Sequence, residues 1–481
     1  MKKIHLSLIA TATILLIGSL LFGWFHLYVN QPTIPKGVQV AGWHVGGMQT
    51  DDVLKQLNNK LTQLEHLPVR YEAEHQNIPD LVFTLSEAGV RYEADTFREA
   101  IAQLQEGSWL ARISNRWNFQ PNWTITSHLD TGLLKSKLNP AWEKQYFGPI
   151  IDASRRISEK DQIIYTPEIS ASRLDWNKLL RNLTSIIPKD FTLITNAQIT
   201  ASPLTLQLPV IIKRPIVTVN SLKKEGIERK ITEFSTSLFS SSPGRIFNVN
   251  SAAQAVNGMI IKPGEEFDYS KVIKQAETKY GFQEAPVIIN GKLAPGIGGG
   301  ICQVSSTIYH AAILTGMEIV ERRNHSIPVS YLPLGQDATF ASGSINFRFK
   351  NNTGKYLLIH ATVQENMLTV KFYGTFREDT QYLIESITVE TLPASNKYVQ
   401  NATLAVGSQE VLQDGKTGYI VETFQVKKVK GVVVDKKRIS RDTYRPQSRL
   451  IAVHPDVNNK GMAPSPPAKS IVEDGVRGPD L

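Results

Sequence analysis

From Ile4 to Val29 the chain runs for 26 residues without an Asp, Glu, Lys or Arg. A helix needs about 20 predominantly apolar residues to cross a bilayer, so this stretch has the length and character of a membrane span. It is longer than the apolar region of a cleaved signal peptide. It closes on "FGWFHLYVN", whose aromatics suit a membrane interface, and has no small-x-small exit. Residues 1–30 are therefore expected to be a short cytoplasmic stub and a retained transmembrane anchor. Lys2 and Lys3 favour a cytoplasmic N-terminus, so the rest of this single-pass chain is expected on the outer, cell-wall side.

That placement sharpens the meaning of a single cysteine, Cys302, in 481 residues. No internal disulfide is available, and the several domains expected at this length must be stabilised by packing. The formal charge of +9, from 53 basic and 44 acidic residues, suits a protein beside polyanions. Outside a membrane those are anionic wall polymers or lipid headgroups, and no nucleic-acid partner is expected. No run of five or more like charges occurs, so a diffusely solvated surface accounts for the excess equally well. Neither HExxH nor CxxC is present, and no metal or cofactor is expected.

Along the chain the expected fold class is multidomain α+β. Residues 31–130 and 131–240 read as two α+β repeats, each a short extended segment followed by a helix with apolar residues at three- and four-residue intervals. Thr50, Asp95 and Asp175 are the expected helix caps. Residues 241–375 carry a hairpin about Asn290-Gly291 and a helix from Cys302 to Gly316. An antiparallel meander through "MEIVERR", "SIPVSYLPL", "SINFRFK", "KYLLIHATV" and "MLTVKFYG" follows. Residues 376–455 alternate like an elongated all-β module, and 456–481, rich in Pro, Gly and Ser, read as a disordered tail.

The chemistry concentrates in "APGIGGGICQVSSTIYHAAILTG", residues 294–316. Gly296, Gly298, Gly299 and Gly300 let backbone N–H groups converge at a helix start. There they favour a thiolate and could hold an oxyanion. The same glycines also suit a tight turn, and a free cysteine is often a buried filler. His310 lies about 12 Å further along the same helix and does not easily reach Cys302. His325, after a strand, is the better base, and Asn346 or Asp337 could orient it. Cysteine at a helix start, then histidine, then Asn or Asp on later strands is the order used by papain-type and transglutaminase-type enzymes, whose chemistry is acyl transfer.

The stretches "IIKPGEEFDYSKV", "KYGFQEAPVIINGKLAPGIGGGICQVSSTIYHAAIL", "EIVERRNHSIPVSYLPLGQDATF" and "INFRFKNNTGKYLLI" resemble the VanW family, which is associated with glycopeptide-resistance clusters. The passage around "GVQVAGWHVGGMQTDDVLKQL" resembles YoaR-like peptidoglycan-binding repeats, and the segment from about 386 to 454 is similar to the G5 wall-binding module. The resemblance implies a cell-envelope location and a functional unit of Cys302, His325 and Asn346, with Gly298, Gly299, Gly300, Gln303, Ser305 and Ser306 as ligand-contacting candidates. His310 stands where the family commonly has Asn, which implies a surface role. Asn346 stands where it commonly has Asp, which removes a charge beside the imidazole. Two functions fit: a wall-binding protein with thiol-dependent acyl transfer or amide cleavage on peptidoglycan peptides, or a non-enzymatic wall-binding scaffold linked to glycopeptide resistance.

Overall fold

A computed structural model of the chain describes residues 2–73, 78–195, 198–199, 202–455 and 471–478. They form two compact units, one of residues 1–152 with 168–216, the other of residues 153–167 with 217–481.

The first unit begins with one helix, Lys2–Val29, of which Ile4–Val29 is long and apolar enough to cross a membrane. Beyond it, the amphipathic helix Thr50–Glu65 buries Val53, Leu57, Leu61 and Leu64, the i, i+4, i+8, i+11 face that its sequence spaces out. Gln49 and Ala94 occupy the cap positions where Thr50 and Asp95 were expected, and those two residues are the first of their helices. Asp175 does cap, accepting the Lys178 N–H at 3.0 Å. Strand Leu204–Gln207 runs parallel to Pro68–Glu72, with Leu206 opposite Tyr71. One hydrophobic core therefore runs from Ile34 to Leu208 through both of the expected repeats. Residues 153–167 and 217–240 lie in the second unit.

The second unit is built on a four-stranded antiparallel sheet in the order Arg229–Ser237, Met367–Gly374, Leu357–Gln364, Met259–Ile261. Besides the short helix Val219–Lys224, the unit holds Pro243–Val256, Tyr269–Tyr280 and Ile301–Leu314. Only the last was expected; in "NVNSAAQAVN" three Asn and two Val of low helix propensity offset three Ala, and the helix buries Val249, Ala252, Ala253 and Val256. The expected meander is divided between two sheets: Arg348–Lys350 pairs instead with Glu266–Asp268 and Glu318–Glu321. "SIPVSYLPL" forms no strand, since Pro328 and Pro333 withhold ladder donors. Asn290 and Gly291 both have positive φ, 52° and 75°, and close the hairpin Glu284–Ile289/Lys292–Ile297 as the dipeptide predicts. Residues 380–453 form the all-β module, with Thr380–Leu392, Gly418–Val429 and Val432–Tyr444 in one sheet and Asn396–Gln400, Arg449–Val453 and Gln409–Gln413 in another. Within the tail expected to be disordered, residues 471–478 are ordered, with strand Val472–Glu473 added to the edge of the hairpin. Their apolar and β-branched residues, Ile471, Val472 and Val476, supply what the Pro-rich composition around them lacks.

The core of this unit is aromatic. Phe347 is fully buried, with ring centroids 5.8 Å from Phe267, 5.8 Å from Tyr309 and 5.9 Å from Phe349. Phe347→Ala is expected to destabilise the unit by about 3–5 kcal/mol in denaturant unfolding, the usual cost of emptying an aromatic site that cannot collapse.

Candidate functional site

The extended segment 337–341 organises the site, because side chains and backbone from several elements bond to it. From helix Ile301–Leu314, Ser305 Oγ and Ser306 Oγ donate to the Ala338 carbonyl at 2.6 and 3.1 Å, and the Ala338 N–H donates back to Ser306 Oγ at 2.9 Å. One turn earlier Cys302 Sγ donates to the Phe340 carbonyl at 3.3 Å and accepts the Phe340 N–H at 3.0 Å. From residues 322–325, the Arg323 carbonyl accepts the Thr339 N–H at 2.8 Å, and Arg322 Nε donates to the Asp337 carbonyl at 2.6 Å. Alternate residues of a strand direct their backbone groups to opposite edges. The cysteine helix thus takes one edge, at 338 and 340, and the His325 segment takes the other.

His325 and Asp337 are brought together. Nδ1 of His325 lies 2.6 Å from Asp337 Oδ2, which also accepts the His325 backbone N–H at 2.7 Å, and both residues are completely buried. Tyr444, at the end of strand Val432–Tyr444 of the β module, donates its hydroxyl to Asp337 Oδ1 at 2.5 Å. Arg322 lies 3.5 Å from the same oxygen and binds Asp442 at 2.6 and 2.7 Å. Burial alone would raise the Asp337 carboxyl, but the His325 bond, Arg322 and Tyr444 outweigh it and bring it down to about 2. Burial would likewise lower His325, yet the Asp337 bond and charge, with Asp474 and Glu473 behind them, carry it above its ordinary value. Among the described residues Nε2 of His325 is buried without a hydrogen-bond partner. Tyr444, Asp442 and Arg322 were not foreseen: two of them lie over a hundred residues downstream, and a Tyr and an Asp in a β-strand carry no local signal.

Cys302 is also completely buried, and its thiol makes its hydrogen bonds with Phe340 rather than with His325. Burial first, and the Asp474 carboxylate second, push the thiol well above its ordinary value. The N–H groups of the helix start, expected to face the sulfur, are instead taken by a carboxylate. Asp474 Oδ1 accepts from Gly300 N at 3.2 Å and Cys302 N at 2.8 Å, while Oδ2 accepts from Arg245 at 3.0 Å.

The other expected site residues have structural partners. Asn346 does not approach His325. Its amide donates to Asp268 at 2.8 Å and its carbonyl accepts the Ser270 N–H at 3.0 Å, which ties down the start of helix Tyr269–Tyr280. Gln303 holds Arg245 at 3.2 Å and donates to Thr236 and Ser237. Ser305 and Ser306 are spent on Ala338. A Cβ on Gly299 would stand 2.4 Å from the Pro286 carbonyl oxygen, and Gly300 adopts φ 107°, so these glycines serve close packing and the sharp entry to the helix. Gly298, with φ 90°, lies against Val476. His310 is buried, not on the surface: it stacks on Phe234 at 3.6 Å between centroids, and burial lowers it to about 4. No group of three or more potential metal ligands occurs among the described residues.

A helix-start cysteine, a buried His–Asp pair and a β module interlocked with both define a composite of three recognisable parts. Residues 244–373 match the model of VanW like protein, residues 384–453 that of the G5 domain, and residues 81–192 that described as "Putative peptidoglycan binding domain". Among individual proteins, the chain is 34% identical over 147 residues to YoaR of Bacillus subtilis, covering 31% of this chain and 48% of that one. It is 26% identical over 178 residues to the vancomycin B-type resistance protein VanW of Enterococcus faecalis, covering 35% of this chain and 65% of that one. The chain thus spans about half the length of the first relative and about two thirds of the second. The G5 domains of HP0197 and of an IgA1 protease align over 16% of this chain and 99% and 94% of their own, at 25% and 24% identity, with TM-scores of 0.12 and 0.13.

Removing one partner of a buried ion pair strands the other, so Asp337→Ala should cost about 3–5 kcal/mol in denaturant unfolding. The pH dependence follows from the two shifts. Asp337, held low, contributes stability that is present above its unfolded value of about 3.9 and lost as pH falls through its folded value. His325, held high, contributes stability that is full below about 6.5 and lost as pH rises through its raised folded value. The stability difference between wild type and Asp337→Ala, followed by urea unfolding against pH, should therefore be greatest between about pH 4 and 6.5 and shrink on either side.

Proposed function

We propose that this is a membrane-anchored cell-envelope protein that binds peptidoglycan or an associated anionic wall polymer. The observation that carries the reading is the order of parts: an apolar helix able to span a membrane, then a unit containing the peptidoglycan-binding match, then the VanW-like and G5 segments. A chain so arranged holds its binding unit within reach of the wall, and its net charge of +9 adds attraction to polyanions. The full chain in detergent micelles is expected to co-sediment with purified peptidoglycan, more weakly as salt is raised. Failure to sediment with wall material of any composition would overturn the proposal.

The buried His325–Asp337 pair favours a second, finer reading: thiol-dependent acyl transfer at Cys302. Asp337 fixes the imidazole through Nδ1 and leaves Nε2 to take a proton. In the reaction the thiol proton would pass to Nε2 as sulfur attacks an amide carbonyl. The amine would leave with that proton, and water or another amine would release the thioester. Because the thiol bonds Phe340 in this state, attack requires that bond to break and the helix start to be freed. Cys302→Ala and His325→Gln should each abolish muropeptide cleavage or transfer while leaving sedimentation with peptidoglycan intact. Full activity in Cys302→Ala would eliminate the enzymatic reading.

A further inference from the structure

The segment 471–478 lies in a groove. On one side Val472 and Glu473 pair antiparallel with Ile289 and Ile288 of the hairpin, and further on Val476 N donates to the Ile297 carbonyl at 2.8 Å. On the other side the Asp474 N–H donates to the Phe340 carbonyl at 3.3 Å and Gly475 bridges Ala341. The segment thus makes main-chain bonds to both walls, as an added peptide strand does. Beneath it, Asp474 is held by two helix-start N–H groups and Arg245, and Glu473 accepts from the Ser326 N–H and hydroxyl, both at 2.9 Å. Val476 packs against the core that contains Cys302.

Two features distinguish this groove from a permanent strand site. The paired strand is two residues long, a weak hold for a segment that follows the β module by a stretch of more than ten residues. A buried polar atom beside it is also without a hydrogen-bond partner among the described residues: Nε2 of His325, which feels the charges of both Asp474 and Glu473. Buried polar groups are rarely left unpaired, and here the tail satisfies the main-chain and cationic groups but not this one.

We propose that this groove is a binding site for an extended peptide carrying a carboxylate, and that residues 472–477 are its internal, displaceable occupant. The proposal rests on the reading that the cysteine helix is the functional centre of an envelope protein. It adds the ligand class and the means of control. The helix start and Arg245 supply the carboxylate subsite, the hairpin edge and residues 340–341 supply strand pairing, and the Cys302 N–H is itself one of the carboxylate's donors. While the tail is seated, its Asp474 charge opposes thiolate formation and its Val476 packs on the core that buries the thiol. Release of the tail removes both effects, and a carboxylate peptide that takes its place restores them.

Tethering makes the tail a local competitor, so the test removes it without touching the groove. A Cβ at Gly475 would stand 2.4 Å from Val287 Cγ1 and 3.0 Å from the Ile297 carbonyl oxygen, so Gly475→Leu should expel the segment. In the full chain in detergent micelles, Cys302 is the sole alkylation site and intact mass reads its labelling by iodoacetamide. Gly475→Leu is expected to label at least tenfold faster than wild type. A synthetic peptide of residues 471–478 added in trans should restore protection. The same peptide with Asn in place of Asp474 should bind about tenfold more weakly, the loss of one well-placed charged interaction. An unchanged labelling rate in folded Gly475→Leu, or equal affinity for the two peptides, would overturn the proposal. If Gly475→Leu does not fold, Asp474→Asn in the full chain must show faster labelling for the proposal to stand. Fluorescent peptide binding to the double variant Gly475→Leu, Cys302→Ala separates the two readings. Binding there with no turnover in any variant keeps the groove and discards acyl transfer, whereas turnover that is indifferent to the tail discards the groove.

Discussion

A carboxylate removed from water must be given its partners by the protein, and the second unit is arranged around that requirement at Asp337. The imidazole and backbone N–H of His325, the Tyr444 hydroxyl and the Arg322 guanidinium all converge on its two oxygens. Arg322, itself nearly inaccessible, needs a second anion and finds it in Asp442. These groups come from the loop after Glu318–Glu321, the 337–341 segment and the last long strand of the β module. No one of them can be buried as a charge unless the others are in place. The β module is therefore part of the site's framework, and the boundary near residue 376 that separates it in sequence does not separate it in space.

The same principle acts at the cysteine helix. An isolated helix start exposes N–H groups that need acceptors. The tail carboxylate supplies one, and Arg245 balances its charge. The result opposes what the glycine-flanked cysteine suggests in isolation. Helix geometry favours a thiolate, while the seated carboxylate and complete burial favour the thiol. Burial and the Asp474 carboxylate together thus set the environment of Cys302.

Much of the architecture was legible because it is local. The charge-free span, the Asn290-Gly291 turn, the Cys302 helix with its glycine entry and the alternating strands of the β module all follow from periodicity and turn chemistry. The His325–Asp337 pair was legible in outline, as one of two candidate pairings. What chose Asp337 over Asn346 was the path of the chain: Asn346 is drawn to the start of a neighbouring helix by Asp268 and Ser270, while Asp337 lies in direct hydrogen-bond contact with His325. The helix Pro243–Val256 was missed because burial, not propensity, holds it. The splitting of the meander between two sheets was missed because register between distant strands leaves no local trace.

By itself the sequence determined the membrane-length span, the absence of disulfides, the order of domains and the chemical repertoire of one thiol, a nearby histidine and two candidate orienting groups. These are properties of composition and short-range spacing, which survive in an unfolded chain. Only the tertiary structure decided that Asp337 bonds His325, that Tyr444, Asp442 and Arg322 complete the network, and that Asp474 closes the cysteine helix. Each of those contacts joins residues far apart in the chain, and a buried charge selects its partners by proximity in the folded state, which no local pattern encodes.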